Sequence, residues 1–421
     1  MTRPLAWLRQ WLVQVWADLR ASTDTGVLAV ARFIGLLYGP IDGQARIDEA
    51  LRKALRYRLP GHVGWRHAFG GVTYLLFIVL IVTGVLLSFY YRPSAQEAYP
   101  SIQFIVSQAP FGWLVRDLHV WSASLIVVAA LAHMGRVFFD AAYKPPRETN
   151  WLVGLFLLFL ILAFGSTGYL LPWDQWAYWT VTEVLDALAG LPLIGGPVVA
   201  VLRGDAIVSG ATLSRFFALH VIVLPWVALV LLGYHFTLVR KHGIAPPKNP
   251  DEASRPPVPF FPHHLLRSFS VSVVALGLAI SVAALFPRPV GHAANPYEPP
   301  SELVSTWAPV DVSLGLIRYL GAWGFALFTL LGLSLAFLPL FDRSPERRLR
   351  RRPAVAALGL TFFAGFVAFW LIGHQVRSVA PGPRPEPERV EPAEPGITLP
   401  PAGTTPIRPA EPPTRPPGGL Q

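Results

Sequence analysis

The chain contains no cysteine in 421 residues. Disulfides, cysteine-ligated iron–sulfur clusters, thiolate zinc sites and haem joined through a thioether are therefore excluded, and any metal centre must use histidine. Charge is scarce as well: 14% of residues are Asp, Glu, Lys or Arg, against 53% hydrophobic. Several apolar runs reach the about 20 residues a helix needs to cross a bilayer, which predicts an all-α polytopic membrane bundle. Period-two alternation is missing, so barrel strands are not expected. The formal charge of +10 reads as Lys and Arg gathered in cytoplasmic loops rather than as a nucleic-acid surface. Residues 1–20 carry scattered arginines and no small-residue cleavage site, so the N-terminus is expected to stay on the cytoplasmic side.

Seven spans are read from length and polarity, at about 70–91, 114–138, 151–171, 216–238, 269–286, 319–340 and 354–373. Basic residues cluster before the first span, at Lys144 and Arg147, at Arg240 to Arg255, and in Arg347–Arg352. These are alternate loops and should share the cytoplasmic face. Four segments follow: a cytoplasmic N-terminal segment (1–66) whose amphipathic runs suit helices lying on the membrane surface, a four-helix unit (67–247), a three-helix unit (248–378) and a Pro-rich disordered tail (379–421) on the outer side. A Pro-rich hinge at 245–262 separates four spans from three.

Histidine inside a span is costly in lipid, and the second and fourth spans each hold two: His119 and His133, then His220 and His235. At 1.5 Å rise per residue, separations of 14 and 15 place each pair about 21 to 22 Å apart along its helix, with both members near one face. The two helices run the same way, so His119 should face His220 at one depth and His133 should face His235 at the other. Two bis-imidazole haem sites stacked across the bilayer account for this pattern, with no axial position left for substrate. Gly70 and Gly84 in the first span, and Gly154 and Gly168 in the third, repeat the 14-residue step and would give a macrocycle room at the same depths. Arg116, Arg136 and Arg240 sit at span ends where a propionate could be paired, though each also suits the positive-inside pattern. A cofactor-free transporter using the histidines as a proton relay is the reading from another class.

The runs "FGWLVRDLHVWSAS", "HMGRVF", "TGYLLPWDQWAYW", "LRGDAIVSGATLSRFFALH" and "HFTLVRKHGI" resemble cytochrome b of the bc1 and b6f quinol oxidoreductases over about residues 55–247. The "PWDQ" run and the 15-residue step are more similar to the b6 type, and the three later spans would correspond to its subunit IV partner fused on. The resemblance implies two non-covalent b haems, with His119 and His220 on the outer iron and His133 and His235 on the inner. It further implies quinol as substrate, a Rieske iron–sulfur protein and a c-type cytochrome as partners, a homodimer within a complex and coupled proton translocation, while a composition rich in Ala, Arg and Pro fits a bacterial plasma membrane. No nucleic acid is implied. A dihaem quinone-reactive anchor of another respiratory enzyme, without electron bifurcation, stays open.

Two departures from the family pattern matter. Ala68 stands where the b6 type has a haem-linking cysteine, so that linkage is impossible. The family's Pro-Glu-Trp-Tyr motif aligns with Ser305, Thr306, Trp307 and Ala308, and threonine is no general base near neutral pH. Asp174, Glu302 and Asp311 are the candidate substitute proton acceptors, and Asp174 suits a helix cap equally well. The resemblance places Thr306 and Trp307 in the quinol site, with Asp174 in its wall. Trp173, Trp176 and Trp179 would hold the short helix after the third span at the interface. His263 and His264 lie where an inner quinone site would be.

Overall fold

Apolar runs of 19 residues or more, too long for one face of a soluble helix, fold here into helices that bury little of their own surface. The computed structural model describes residues 57–300, 303 and 307–375. In chain order its principal helices are α1 (Phe69–Ser88), α2 (Ala98–Ser107), α3 (Gly112–Phe139), α4 (Glu148–Tyr169), α5 (Gln175–Ala189), α6 (Gly195–Arg203), α7 (Gly210–His242), α8 (Leu265–Leu285), α9 (Ala308–Leu320), α10 (Trp323–Ala336) and α11 (Pro353–Gln375). Six stretches are long and apolar enough to span a membrane: Trp65–Ser88, Gly112–Phe139, Glu148–Tyr169, Gly210–His242, Phe260–Leu285 and Pro353–Leu371. The protein is a multi-pass helical bundle.

The sixth expected span, 319–340, is the element that departs most from its sequence reading. Its regular part is α10, 14 residues long, which at 1.5 Å per residue covers about 21 Å of an about 30 Å hydrocarbon layer. Gly321, with φ +57°, divides it from α9, a backbone angle that L side chains resist. After α10 the chain re-enters a single turn, Leu338–Phe341, with Pro339 in its first turn. An averaged hydropathy window passes over both breaks.

α1 packs along α3, α4 along α7, and α8 against α3. Glycines on one helix receive aromatic rings from another and so dock the later helices on the earlier ones. A methyl group at Gly332 on α10 would stand 2.8 Å from Phe159 of α4, and one at Gly135 on α3 would stand 3.2 Å from Phe363 of α11. The 245–262 segment is pinned rather than loose. Arg58–Leu59 pairs antiparallel with Val258–Pro259, His62 Nε2 lies 3.0 Å from the Ala245 carbonyl, and Arg267 donates to the Val63 carbonyl at 2.8 Å. Residues 58–59, expected at the end of a surface helix, thus form a short strand. The rest of that N-terminal segment, through residue 56, and the tail from residue 376 lie outside the described residues.

The basic loops converge on one face, as the charge pattern predicts. Arg147, just before α4, caps the last turn of α7 by donating to the carbonyls of His242 (2.9 Å), Gly243 (3.2 Å) and Ile244 (3.0 Å), a favourable place for a cation at a helix C-terminus. Beside it, Lys144 Nζ donates to Asp342 Oδ1 at 2.8 Å and to the Ser344 and Glu346 carbonyls at 2.6 and 2.8 Å. Arg352 donates to Asp342 Oδ2 at 2.9 Å, and the Tyr143 hydroxyl also donates to that oxygen. Burial alone would raise the Asp342 pKa, but hydrogen bonds from Lys144, Tyr143 and Arg352 outweigh it and hold the carboxyl below its ordinary value. A depressed folded pKa means the clasp stabilises the fold fully above the ordinary carboxylate range and loses that contribution as pH falls through the folded value. Asp342→Ala, which strands Lys144 and Arg352 together, should cost about 3–5 kcal/mol. A lowered thermal midpoint at pH 7 in detergent, with the deficit against the parent shrinking in acid, is the expected result.

Candidate dihistidine cofactor site

Helix pairing brings the four intramembrane histidines into two facing couples. His119 of α3 and His220 of α7 have ring centroids 6.2 Å apart, with planes at 69°. His133 and His235, at the other end of the same helices, are 6.5 Å apart at 78°. Two metal–nitrogen bonds of about 2 Å on opposite sides of one ion, plus the ring radii, span about 6 Å between imidazole centres. Both separations therefore fit a single ion held on an axis between the rings. Among the described residues no cluster of three or more His, Asp or Glu could hold a metal, so each couple offers two ligands. A tetrahedral ion would be undersupplied, whereas a planar tetrapyrrole brings its own four nitrogens.

The tautomers suit this role at the first couple. His220 Nδ1 lies 3.0 Å from the Phe164 carbonyl, and a carbonyl can only accept, so Nδ1 carries the proton and Nε2 keeps a lone pair. Thr83 Oγ1 donates to the Val79 carbonyl at 2.6 Å, which leaves its oxygen to accept from His119 Nδ1 at 2.8 Å. Thr167 does the same on α4, donating to Ala163 at 2.8 Å and lying 3.2 Å from His220 Nδ1. The sequence reading missed both threonines, although the dipeptide Thr-Gly, at 83–84 and 167–168, marks them. At the second couple the Nδ1 atoms of His133 and His235 are buried and make no hydrogen bond of ordinary length.

Each of the four glycines stands opposite one imidazole. A methyl group at Gly70 would lie 3.0 Å from His133 Cε1, at Gly84 3.3 Å from His119, at Gly154 3.6 Å from His235 and at Gly168 2.6 Å from His220. The helices that carry no histidine thus approach the rings edge-on with bare backbone. α1 serves the two histidines of α3, and α4 serves those of α7.

The arginines divide. Arg116 is buried and donates to Asp117 Oδ1 at 3.0 Å and to the Arg288 carbonyl at 2.7 Å. Arg136 is half-buried near Asp140, and its Nε makes no hydrogen bond among the described residues. Arg240 is exposed. Of the expected quinone-site residues, Trp307 is buried with its indole against the backbone of Gly165, whereas Thr306, Glu302 and the Asp311 side chain lie outside the described residues. His264 lies 3.4 Å from Ser268 Oγ, and His263 is exposed.

Asp174 caps α5. Its Oδ1 accepts from Ala177 N at 2.9 Å and its Oδ2 from Gly291 N at 3.1 Å. The flanking residues complete a staple to the strap after α8: Gln175 N donates to the His292 carbonyl at 2.8 Å, and Ala294 N to the Trp173 carbonyl at 3.1 Å. Burial raises the Asp174 pKa against these backbone donors and Arg116.

Residues 55–243 match the family described as Cytochrome b/b6/petB. These residues, just under half of the chain, belong to the cytochrome b family. A solved chain entitled "Hyperthermophilic respiratory Complex III" superposes with a TM-score of 0.71 at 29% sequence identity, covering 81% of this chain and 92% of that one. Such coverage exceeds what residues 55–243 hold, so the likeness extends past the 245–262 segment into the later helices. Over residues 55–243 the chain is cytochrome b-like, and this match, with the Complex III likeness and the apolar spans, supports a transmembrane component of respiratory electron transport over the cofactor-free transporter reading.

Two variants test the site's construction. Gly168→Ala forces its new methyl into His220 and should lower haem content below the parent's. Gly71→Ala, with nothing within 4 Å of the added methyl, should leave the content unchanged; pyridine extraction reads both. Asp174→Ala removes a cap and orphans two backbone donors. It should lower stability by about 1–3 kcal/mol without altering the haem spectrum, as thermal melts and difference spectra would show.

Proposed function

We propose that this cytochrome b holds two b haems and passes electrons from quinol across the membrane between them, as the dihaem subunit of a quinol:cytochrome c oxidoreductase that couples the transfer to proton translocation. The facing histidine couples, each met by two glycines, carry this reading. His119 and His220 would bind the outer iron, His133 and His235 the inner. Held by two histidines apiece, each haem would supply a one-electron carrier, suited to transfer rather than substrate chemistry.

The chain's own residues do the rest. Phe164, Thr83 and Thr167 orient the outer imidazoles with Nε2 toward the iron, and hydrogen bonds to Nδ1–H raise ligand basicity. Gly70, Gly84, Gly154 and Gly168 keep side chains off the macrocycle. Arg136, with an unfilled donor at the inner level, suits a propionate, and Arg116, fixed by Asp117, sets a positive charge at the outer level. Trp307 on Gly165 closes the outer pocket where quinol would be oxidised, with Thr306 beside it in sequence.

The Rieske protein, the c-type cytochrome and a second copy of this chain are the proposed partners. A subunit IV-like role is proposed for residues 248–378, within a bacterial plasma membrane, with the converging basic loops on the cytoplasmic face and the tail outside. Likeness to a Complex III chain on both sides of the 245–262 segment supports this over a quinone-reactive anchor that does not bifurcate electrons. Purified protein should yield two extractable b haems per chain, with no haem left on the polypeptide. His220→Ala and His133→Ala should each remove one, with separate effects on the reduced-minus-oxidised spectrum. One haem or none in the folded parent would overturn the reading.

A further inference from the structure

Helices that meet at the same two levels do not share one sequence step. His119 and His133 of α3 are 14 residues apart, as are Gly154 and Gly168 of α4, whereas His220 and His235 of α7 are 15 apart. At 3.6 residues per turn, 14 residues fall about 40° short of four turns and 15 pass them by about 60°. A regular α7 would therefore swing one of its histidines about 100° away from its α3 partner and its α4 glycine. No such swing is present. His220 and His235 face their partners on α3 at 6.2 and 6.5 Å between ring centroids, and methyl groups at Gly168 and Gly154 would stand 2.6 and 3.6 Å from the same two rings. One residue of α7 is taken up without turning the helix.

The place where this happens is local. Across Leu219–Val223 the helix widens to a π-turn, closed by Leu224 N donating to the Leu219 carbonyl, five residues back. From Leu224 to His242 it is regular again, and α3 and α4 are regular throughout their own pairs. Pro225 follows the widened turn directly and supplies its cause. Proline has no N–H for the Val221 carbonyl four residues back, and its ring crowds that carbonyl in α geometry. Widening the preceding turn relieves the crowding, and turns of this kind collect at functional sites. The side chains of Val221, Ile222 and Val223 are exposed, so the surplus residue displaces no core. His220 lies inside the turn, where its Nδ1 reaches the Phe164 carbonyl at 3.0 Å.

We propose that the widened turn before Pro225 is a register device: it takes up the fifteenth residue of the step and so turns His220 to face His119, which makes Pro225 a positioning residue for that haem ligand. The proposal deepens the two-haem function proposed above and rests on it.

The test counts haems in the purified complex and assigns them by the spectra of His220→Ala and His133→Ala. Parent with one haem or none would overturn the two-haem function itself. In parent with two, Pro225→Ala restores an N–H at residue 225, lets the turn tighten toward α geometry and swings His220 off its axis. Most of the haem held by His119 and His220 should be lost, while that held by His133 and His235 stays. Deleting Ile222 from the Pro225→Ala chain leaves an unbroken α-helix with a step of 14 and should restore the parent's haem content and spectrum. Deleting the exposed Val128 from the regular α3 removes a residue that no widened turn can return, and should cost haem. Parent-like haem in Pro225→Ala, failure of the Ile222 deletion to restore it, or full haem in the Val128 deletion would each overturn the proposal. If the Ile222 deletion does not fold, Pro225→Ala decides alone: loss confined to the His119–His220 level supports the device, and equal loss at both levels overturns it.

Discussion

Two imidazoles held about 6 Å apart, on helices that are not neighbours in sequence, set the terms for the bundle. The spacing must recur at two depths, which fixes the register of α3 against α7. Each ring also needs a neighbour without a side chain, which fixes α1 against α3 and α4 against α7. Because α1 and α3 run in opposite directions, Gly70 meets His133 while Gly84 meets His119. A step of 14 residues therefore appears in α1, α3 and α4 and one of 15 in α7, and slipping any of them by one residue would put a side chain where a ring must stand.

The two levels are built unequally. At the His119–His220 couple, carbonyl and hydroxyl oxygens fix each ring's tautomer and orientation. At the His133–His235 couple, neither Nδ1 makes a hydrogen bond of ordinary length, and orientation is left chiefly to packing. Hydrogen bonding to Nδ1–H makes an imidazole a better donor to its metal. The chain thus differentiates its two facing histidine couples by one residue type, threonine directly before glycine, in α1 and α4.

This division also explains what the sequence made legible. Histidines and glycines recur at helical periods within single spans, so their spacing shows in one dimension, as do the seven apolar runs and the side on which the basic loops gather. The Asp342 clasp and the α5 staple are legible only in three dimensions. Lys144 and Asp342, or Asp174 and Gly291, are joined across 198 and 117 residues, and no periodicity announces such pairs. Gly321 and Pro339 were visible as residues, but the breaks they cause in the sixth span were masked by uniform hydropathy on either side.

The carboxylates follow one logic throughout. A buried charge in a membrane protein is costly unless hydrogen-bonded or paired, and this chain uses most of its few buried acids to tie loops: Asp342 at the basic face, Asp174 and Asp117 at the outer one. An acid used in that way is poorly suited to proton chemistry, because protonation would release the loop it holds. "PWDQWAYW" is therefore first a structural run, in which Asp174 caps α5 and anchors the strap after α8. By holding α5 in place, that cap sets the helix on which α9, the element that follows Trp307, packs.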